Sequence, residues 1–279
     1  MYESITLENV SSTAVLTFNR PASLNAFTYP MMDEFKHALA TAEQDDTVTG
    51  IVITGAGRGF CAGMDMNALG TLSATGEQEG AENLKDKLKA SPGDSSMGED
   101  FTSGFTYLMT IRKPVIAAIN GACAGLGMSI ALLCDLRFCA DGAKFVTSFS
   151  QRGLVAEHGQ SWILPRVVGP SRALDLLWSS RRVMADEALQ IGLVDRVYEA
   201  DEVLSRAIEY VQQLADSAAP VSLQVMKRQI YRHMNMSLGD AMAESTQLMD
   251  ESLLRDDFKE GVASFMEKRP PAFSKIKTD

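Results

Sequence analysis

The stretch that decides the fold is "PVIAAINGACAGLGMSIALL", residues 114–133. Its first part is an unbroken apolar run rich in Val, Ile and Ala, the signature of a strand buried on both faces. The glycines Gly121, Gly125 and Gly127 then make a tight turn, and "MSIALLCDL" (128–136) reads as a helix apolar on nearly every side. Such a helix belongs in a core. Strand, glycine turn and helix start together present unpaired backbone N–H groups to an anion, and the helix dipole adds to the effect.

Working outward, the pattern occurs a second time in "GIVITGAGRGFCAGMDMNAL", residues 50–69. Either turn alone is weak, because glycines make tight turns in any α/β protein. Neither has the GxGxxG or GxxxxGK[ST] spacing, so dinucleotide and nucleoside triphosphate binding fit poorly. Further toward the amino terminus, "ITLENV" and "AVLTF" flank a polar turn at Ser11-Ser12-Thr13, which predicts a hairpin. Thr28 is placed to cap a helix whose apolar positions Met31, Met32, Phe35, Leu39 and Ala42 keep helical spacing. Residues 70–103 are rich in Gly, Ser, Asp and Glu and read as a surface insertion around one helical segment, "ENLKDKLKA". Beyond residue 165 the chain reads as mostly helical, with "SRALDLLWSS", "ADEALQIGL" and three longer amphipathic segments up to about residue 268. Strands early and helices late give an α/β or α+β domain with a helical cap.

The totals narrow the function. Among 279 residues, 46% are apolar and 22% charged, an ordinary globular composition, and the formal net charge is −10. That balance argues against nucleic acid as a partner. No apolar stretch is long enough for a membrane span. The four cysteines form no CxxC pair and sit in apolar runs, and no secretory signal is visible, so a cytoplasmic location is expected. No His, Cys or carboxylate set has metal-ligand spacing, so no metal is expected.

Four ordered segments, "LTFNRPASLNAF", "GIVITGAGRGFCAGMDM", "KPVIAAINGACAGLGMSIALLCDLRFCADGAKF" and "EALQIGLVDRVY", resemble the crotonase (enoyl-CoA hydratase/isomerase) superfamily. The resemblance runs from about residue 3 to 270 and misses only the 70–103 insertion. It implies a spiral of ββα units over residues 1–195, and a helical carboxy-terminal region, 196–279, that serves as cap and trimerisation element. It also implies a homotrimer or dimer of trimers as the assembly. By motif, the two backbone N–H groups that polarise an acyl-CoA thioester fall on Met64 and Leu126. A backbone donor tolerates any side chain, and one is typically worth about 3 kcal/mol in the transition state. The resemblance threads CoA past Ala22, Leu24, Ala26, Ala62, Asp65 and Met66. Relatives often carry Lys or Arg where this chain has Ala22, which removes one phosphate or adenine contact. Asp65 has an equally good reading as a helix cap.

The resemblance also implies which acids are missing. The two glutamates that hold water in enoyl-CoA hydratases correspond to Ser129 and Phe149, neither of which is a base; both are expected in the substrate pocket. Glu157, in "GLVAEHGQSW" (153–162), stands where the peroxisomal-type Δ3,Δ2-enoyl-CoA isomerases place their acid. The expected activity is a Δ3 to Δ2 double-bond shift with Glu157 as the single acid/base. Its carboxylate is expected to point, desolvated, into the space left by Ser129, with Phe149, Leu154, Val155 and Trp162 as apolar walls. Hydration or thioester hydrolysis through Glu157 is the second enzyme reading, and a non-catalytic CoA-binding scaffold is the reading of another class. No cofactor is implied beyond the CoA carried by the substrate. His158 is expected to point away from Glu157, because neighbours in an extended loop alternate. His37 and His233 are expected on exposed surfaces.

Overall fold

A computed structural model describes residues 2–76 and 88–275. The hairpin forms from β1 (Ile5–Val10) and β2 (Thr13–Phe18), joined by Ser11 and Ser12. The left-handed φ of Ser11, +52°, closes the tight turn. Thr28 caps α1 (Tyr29–Gln44) by accepting the N–H of Met31, and Met31, Phe35 and Leu39 are fully buried.

The chain then repeats one move. β3 (Gly50–Gly55) lies in a large sheet, β4 (Gly59–Cys61) in a small one, and α2 (Met66–Thr75) follows. β5 (Val115–Ile119) and β6 (Ala122–Ala124) take the same two places before α3 (Leu126–Leu133), and β7 (Leu136–Ala140) and β8 (Lys144–Val146) do so again. β9 (Val183–Met184) pairs antiparallel with β8, and β10 (Arg196–Tyr198) pairs parallel with β7. The large sheet has the order β1-β2-β3-β5-β7-β10 and the small sheet β4-β6-β8-β9. Each turn of chain therefore advances both sheets by one strand, which is the expected ββα spiral. β3 and β5 are wholly buried, as continuous apolar runs require.

Around these strands run α4 (Gln160–Val168), α5 (Pro170–Ser179) and α6 (Ala185–Gln190). The carboxy-terminal region holds α7 (Val203–Ser217), α8 (Pro220–His233), α9 (Leu238–Leu253) and α10 (Asp256–Glu267), four helices among the described residues where the periodicity gave three. All eight residues of α3 are buried, but it stops at Leu133, and Leu136 opens β7 instead of prolonging the helix. Asp135 is the reason. Its carboxylate accepts the N–H of Val115 at 2.7 Å and the Tyr231 hydroxyl at 2.9 Å, and it pairs with Lys227 at 2.8 Å. These groups, on β5 and α8, pull the chain out of the helix.

Most of the segment "ENLKDKLKA" lies outside the described residues. The rest of the stretch read as an insertion is partly core: Met97 and Phe101 are buried. The loop is closed by Glu43, itself 3% exposed, which accepts from the N–H groups of Gly93 and Arg112 at 2.6 and 2.8 Å.

α3 approaches β4 so closely that only glycine fits at its second position. A Cβ on Gly127 would stand 2.4 Å from the backbone oxygen of Cys61 and 2.7 Å from its Cβ. The Gly127→Ala variant is expected to lose about 1–3 kcal/mol, because backbone must move. Thermal or denaturant unfolding measures this directly, and unchanged stability would contradict the contact.

Candidate active site

The site follows from the parallel pairing of β4 with β6, in which Gly59 faces Ala122 and Cys61 faces Cys123. Both strands end in a glycine turn, so the two turns emerge side by side: a Cβ placed on Gly63 would lie 3.6 Å from the Leu126 nitrogen. Gly125 adopts φ +51° and ψ −119°, which aims the start of α3 back at the first turn.

Each turn leaves one amide unused. Phe27 and Met64 form an isolated parallel bridge, in which Phe27 N–H donates to Gly63 O at 2.7 Å and Asp65 N–H donates to Phe27 O at 2.8 Å. Both bonds are carried by the neighbours of Met64, so its own N–H faces the other way. Leu126 is the first residue of α3, where N–H groups have no partner within the helix. Neither amide meets an acceptor among the described residues.

Asp65 serves as a cap. It accepts the N–H of Asn67 at 3.0 Å and pairs with Arg20 at 2.9 Å. Burial works to raise its pKa but is outweighed by the Asn67 N–H and the Arg20 guanidinium, which hold the carboxyl below its ordinary value. Arg20 also donates to the carbonyl of Ala26, tying the "NRPASLNA" segment to the turn. That segment is folded by Leu24 and Asn25, both left-handed. The Asn25 side chain donates to the carbonyls of Ala56 and Gly59 at 2.9 and 2.8 Å.

A cleft of about 430 Å³ opens over the paired turns. It brings together Met64, Leu126, Glu157, Ala26, Ala62, Asp65, Met66 and Phe149. It does not include Ala22, Leu24 or Ser129. Ala22 is exposed on the surface. Leu24 covers Gly59, where its side chain would stand 3.4 Å from an added Cβ. Ser129 is fully buried on α3, and its hydroxyl bonds back to the Gly125 carbonyl at 3.4 Å. The space once assigned to it is therefore core.

Glu157 lines the cleft, and its side chain is 49% exposed, so in the free protein it is half solvated instead of desolvated. Among the expected apolar walls, Phe149 and Leu154 line the cleft. Val155 is 80% exposed and lines no part of it, and Trp162 lines a neighbouring cavity. His158 does not point away. Its φ of +53° breaks the extended alternation, and its Nε2 lies 3.4 Å from Glu157 Oε1. The ring packs edge-on against Phe105 at 5.4 Å, and Phe105 meets Phe27 and Phe35 in turn. The acid's loop is thus anchored in the aromatic core through His158. His37 and His233 are half-buried, bonded to Tyr2 and Glu244.

Cleft residues not named from the sequence include Ser23, Asn67, Leu69, Ser148 and Arg152, the last two on the connection after β8. Those two lie close to Phe149, and the signal available was that proximity to a predicted pocket residue. Among the described residues no group of three or more His, Cys, Asp or Glu side chains is placed to share a metal ion. Among the described residues no helix is long and apolar enough to cross a membrane.

Residues 8–276 match the model of the enoyl-CoA hydratase/isomerase family. The chain is 31% identical over 271 residues to the peroxisomal Δ(3,5)-Δ(2,4)-dienoyl-CoA isomerase of Arabidopsis thaliana, covering 95% of this chain and 94% of that protein. It is 32% identical over 268 residues to the short-chain-enoyl-CoA hydratase of Clostridium acetobutylicum, covering 95% of each. Among solved structures, an enoyl-CoA hydratase from Polaromonas sp. JS666 superposes with a TM-score of 0.80 at 31% identity, over 97% of this chain and 99% of that one.

Behind the acid's loop, Gln160 opens α4 with its side chain fully buried and both amide atoms unpaired among the described residues. Each unpaired buried polar group costs roughly 1–3 kcal/mol. Gln160→Met, close in size and apolar, is expected to leave the unfolding midpoint unchanged or raise it. A loss above about 1 kcal/mol would show that the amide has a partner.

Proposed function

The chain belongs to the enoyl-CoA hydratase/isomerase family, and from that premise we propose that it shifts the double bond of an enoyl-CoA from Δ3 to Δ2. One observation carries the reading: the cleft that gathers the free amides of Met64 and Leu126 also holds Glu157, while Ser129 is buried away and Phe149 offers no base. In the proposed reaction the carboxylate of Glu157 takes a proton from C2 of the 3-enoyl thioester. The C–H electrons form the C1–C2 double bond of a dienolate, and the two N–H groups hold its oxygen. The same carboxyl then returns the proton at C4 as the C1–O bond regains its carbonyl character. CoA enters as part of the substrate and lies along Ser23, Ala26, Ala62 and Met66, and the chemistry calls on no further cofactor.

A second reading, hydration or thioester hydrolysis, draws on the half-exposed carboxylate and on His158 beside it. Water reaches Glu157 in the free protein, and a neighbouring imidazole gives a place for a second proton. A hydratase among the relatives is consistent with that reading.

Assembly is the other part of the proposal. Phe265, Met266, Leu254 and Leu238 are 74–82% exposed on α9, α10 and the turn between them, and Phe265 and Met266 line an apolar groove of about 700 Å³ formed with residues of α8 and α9. Apolar surface of this extent belongs in contact with another copy, so residues 196–279 act as the assembling region of a trimer or dimer of trimers. Light scattering at micromolar concentration is expected to give an oligomer, and a stable monomer would contradict it.

The Glu157→Gln variant tests the chemistry. It is expected to bind acyl-CoA nearly as the parent does while 3-enoyl-CoA isomerisation falls by about 10²–10⁴-fold, the usual range for losing a general base. Product analysis with 3-enoyl- and 2-enoyl-CoA separates the two readings. Variant turnover within a few-fold of the parent would move the role to another group.

A further inference from the structure

Arg152 is the one cation among the described residues that line the cleft, and it forms no ion pair among the described residues. It arrives there by local geometry. Ser150–Arg152 form a single 3-10 turn closed by Gly153 at φ +68°. In such a turn residues three apart share one side, so Phe149, at its start, and Arg152 both face the cleft. Ser148, left-handed at φ +66°, turns its carbonyl up to accept the Arg152 Nη1–H at 2.9 Å. That bond holds the guanidinium by one N–H and leaves its other donors free.

The other charges in the cleft are accounted for. Asp65 is paired with Arg20, and Glu157 has His158 beside it. A thioester carbonyl is neutral and gives Arg152 nothing to neutralise. Arg152 is an exposed residue lining the cleft, so a ligand can reach it. It lines the cleft together with Phe149 and Glu157 of the same connection, and Ser23 and Ala26 line that cleft from another part of the chain. If CoA lies along Ser23 and Ala26, as proposed above, the 148–157 residues are left to meet the acyl group.

We infer that Arg152 selects an acyl group bearing its own carboxylate, bound by charge-assisted hydrogen bonds, so that the substrates are CoA thioesters of dicarboxylic acids. This rests on the acyl-CoA reading of the site. An anionic oxygen group is the shared chemistry, and a CoA phosphate is the other source of one. A planar guanidinium matches the two oxygens of a carboxylate, which a lysine cannot copy fully.

The experiment is equilibrium binding by calorimetry of two matched series, succinyl- to adipoyl-CoA and butyryl- to hexanoyl-CoA, to the full chain, Arg152→Met and Arg152→Lys. In the parent at least one carboxylated thioester is expected to bind roughly 10-fold or more tightly than its neutral partner of equal length. Arg152→Met is expected to erase that preference and Arg152→Lys to keep part of it. Equal binding of both series by the parent at every length overturns the inference. So does a loss in Arg152→Met that is equal for both series and vanishes with 3′-dephospho thioesters, because the guanidinium then serves the CoA phosphate. Failure of both series to bind overturns the acyl-CoA reading itself, which a mere lack of preference would leave standing.

Discussion

The lateral pairing of β4 with β6 is the contact on which the candidate site depends. Two three-residue strands carry little stability by themselves, yet their register decides where the following chain goes. Because they run parallel, both glycine turns leave the same edge of the small sheet, and the helices after them start beside each other. The close seat of Gly127 on the Cys61 backbone fixes the distance. Fully buried Ile130 and Leu133 fix the direction, since α3 cannot rotate without exposing them. Two amides with no protein acceptor are the result. An unpaired N–H beside a cleft costs little while water reaches it, and it becomes a strong donor once a ligand excludes that water.

Much of this was legible in the sequence, because its determinants are local. An unbroken apolar run of five or six residues has few fates other than a buried strand, and both such runs are one. The glycine spacing marked both turns, and the Thr28 cap followed from residue type alone. What escaped was decided by distant groups. Nothing within "CDLRFCA" shows that Asp135 will be claimed by Tyr231 and Lys227, so the helix was read past its end. Ser129 illustrates a related limit. Matching by motif gives a position on the helix, but the side chain's direction is set by how α3 packs, and the serine faces the core.

The acid's loop shows where a rule of alternation stops holding. Glu157 and His158 meet because His158 leaves the extended conformation, at φ +53°, and Gly159 follows it at +76°. For histidine that conformation is unfavourable, and the packing of its ring on Phe105 compensates. A reader of the sequence sees the glycine but not the ring contact, because Phe105 lies more than fifty positions away. Val155 is the mirror case: apolar, two positions before the acid, and still turned to solvent.

A division of labour follows from where each part is held. The amides of Met64 and Leu126 belong to backbone locked between two sheets and a buried helix, where any displacement disturbs the core. Glu157, Arg152 and Ser148 belong to the connection between β8 and α4, much of it exposed. A change of side chain at an exposed position of that connection costs little folding energy, since the loop is held through Thr147, Phe149, Ser150 and His158. The same frame can therefore carry one acid, two or none beside the two free amides without refolding. In this chain the connection carries one carboxylate and one cation, and under the proposed reading those two side chains, rather than the frame, would set which thioester is accepted and what becomes of it.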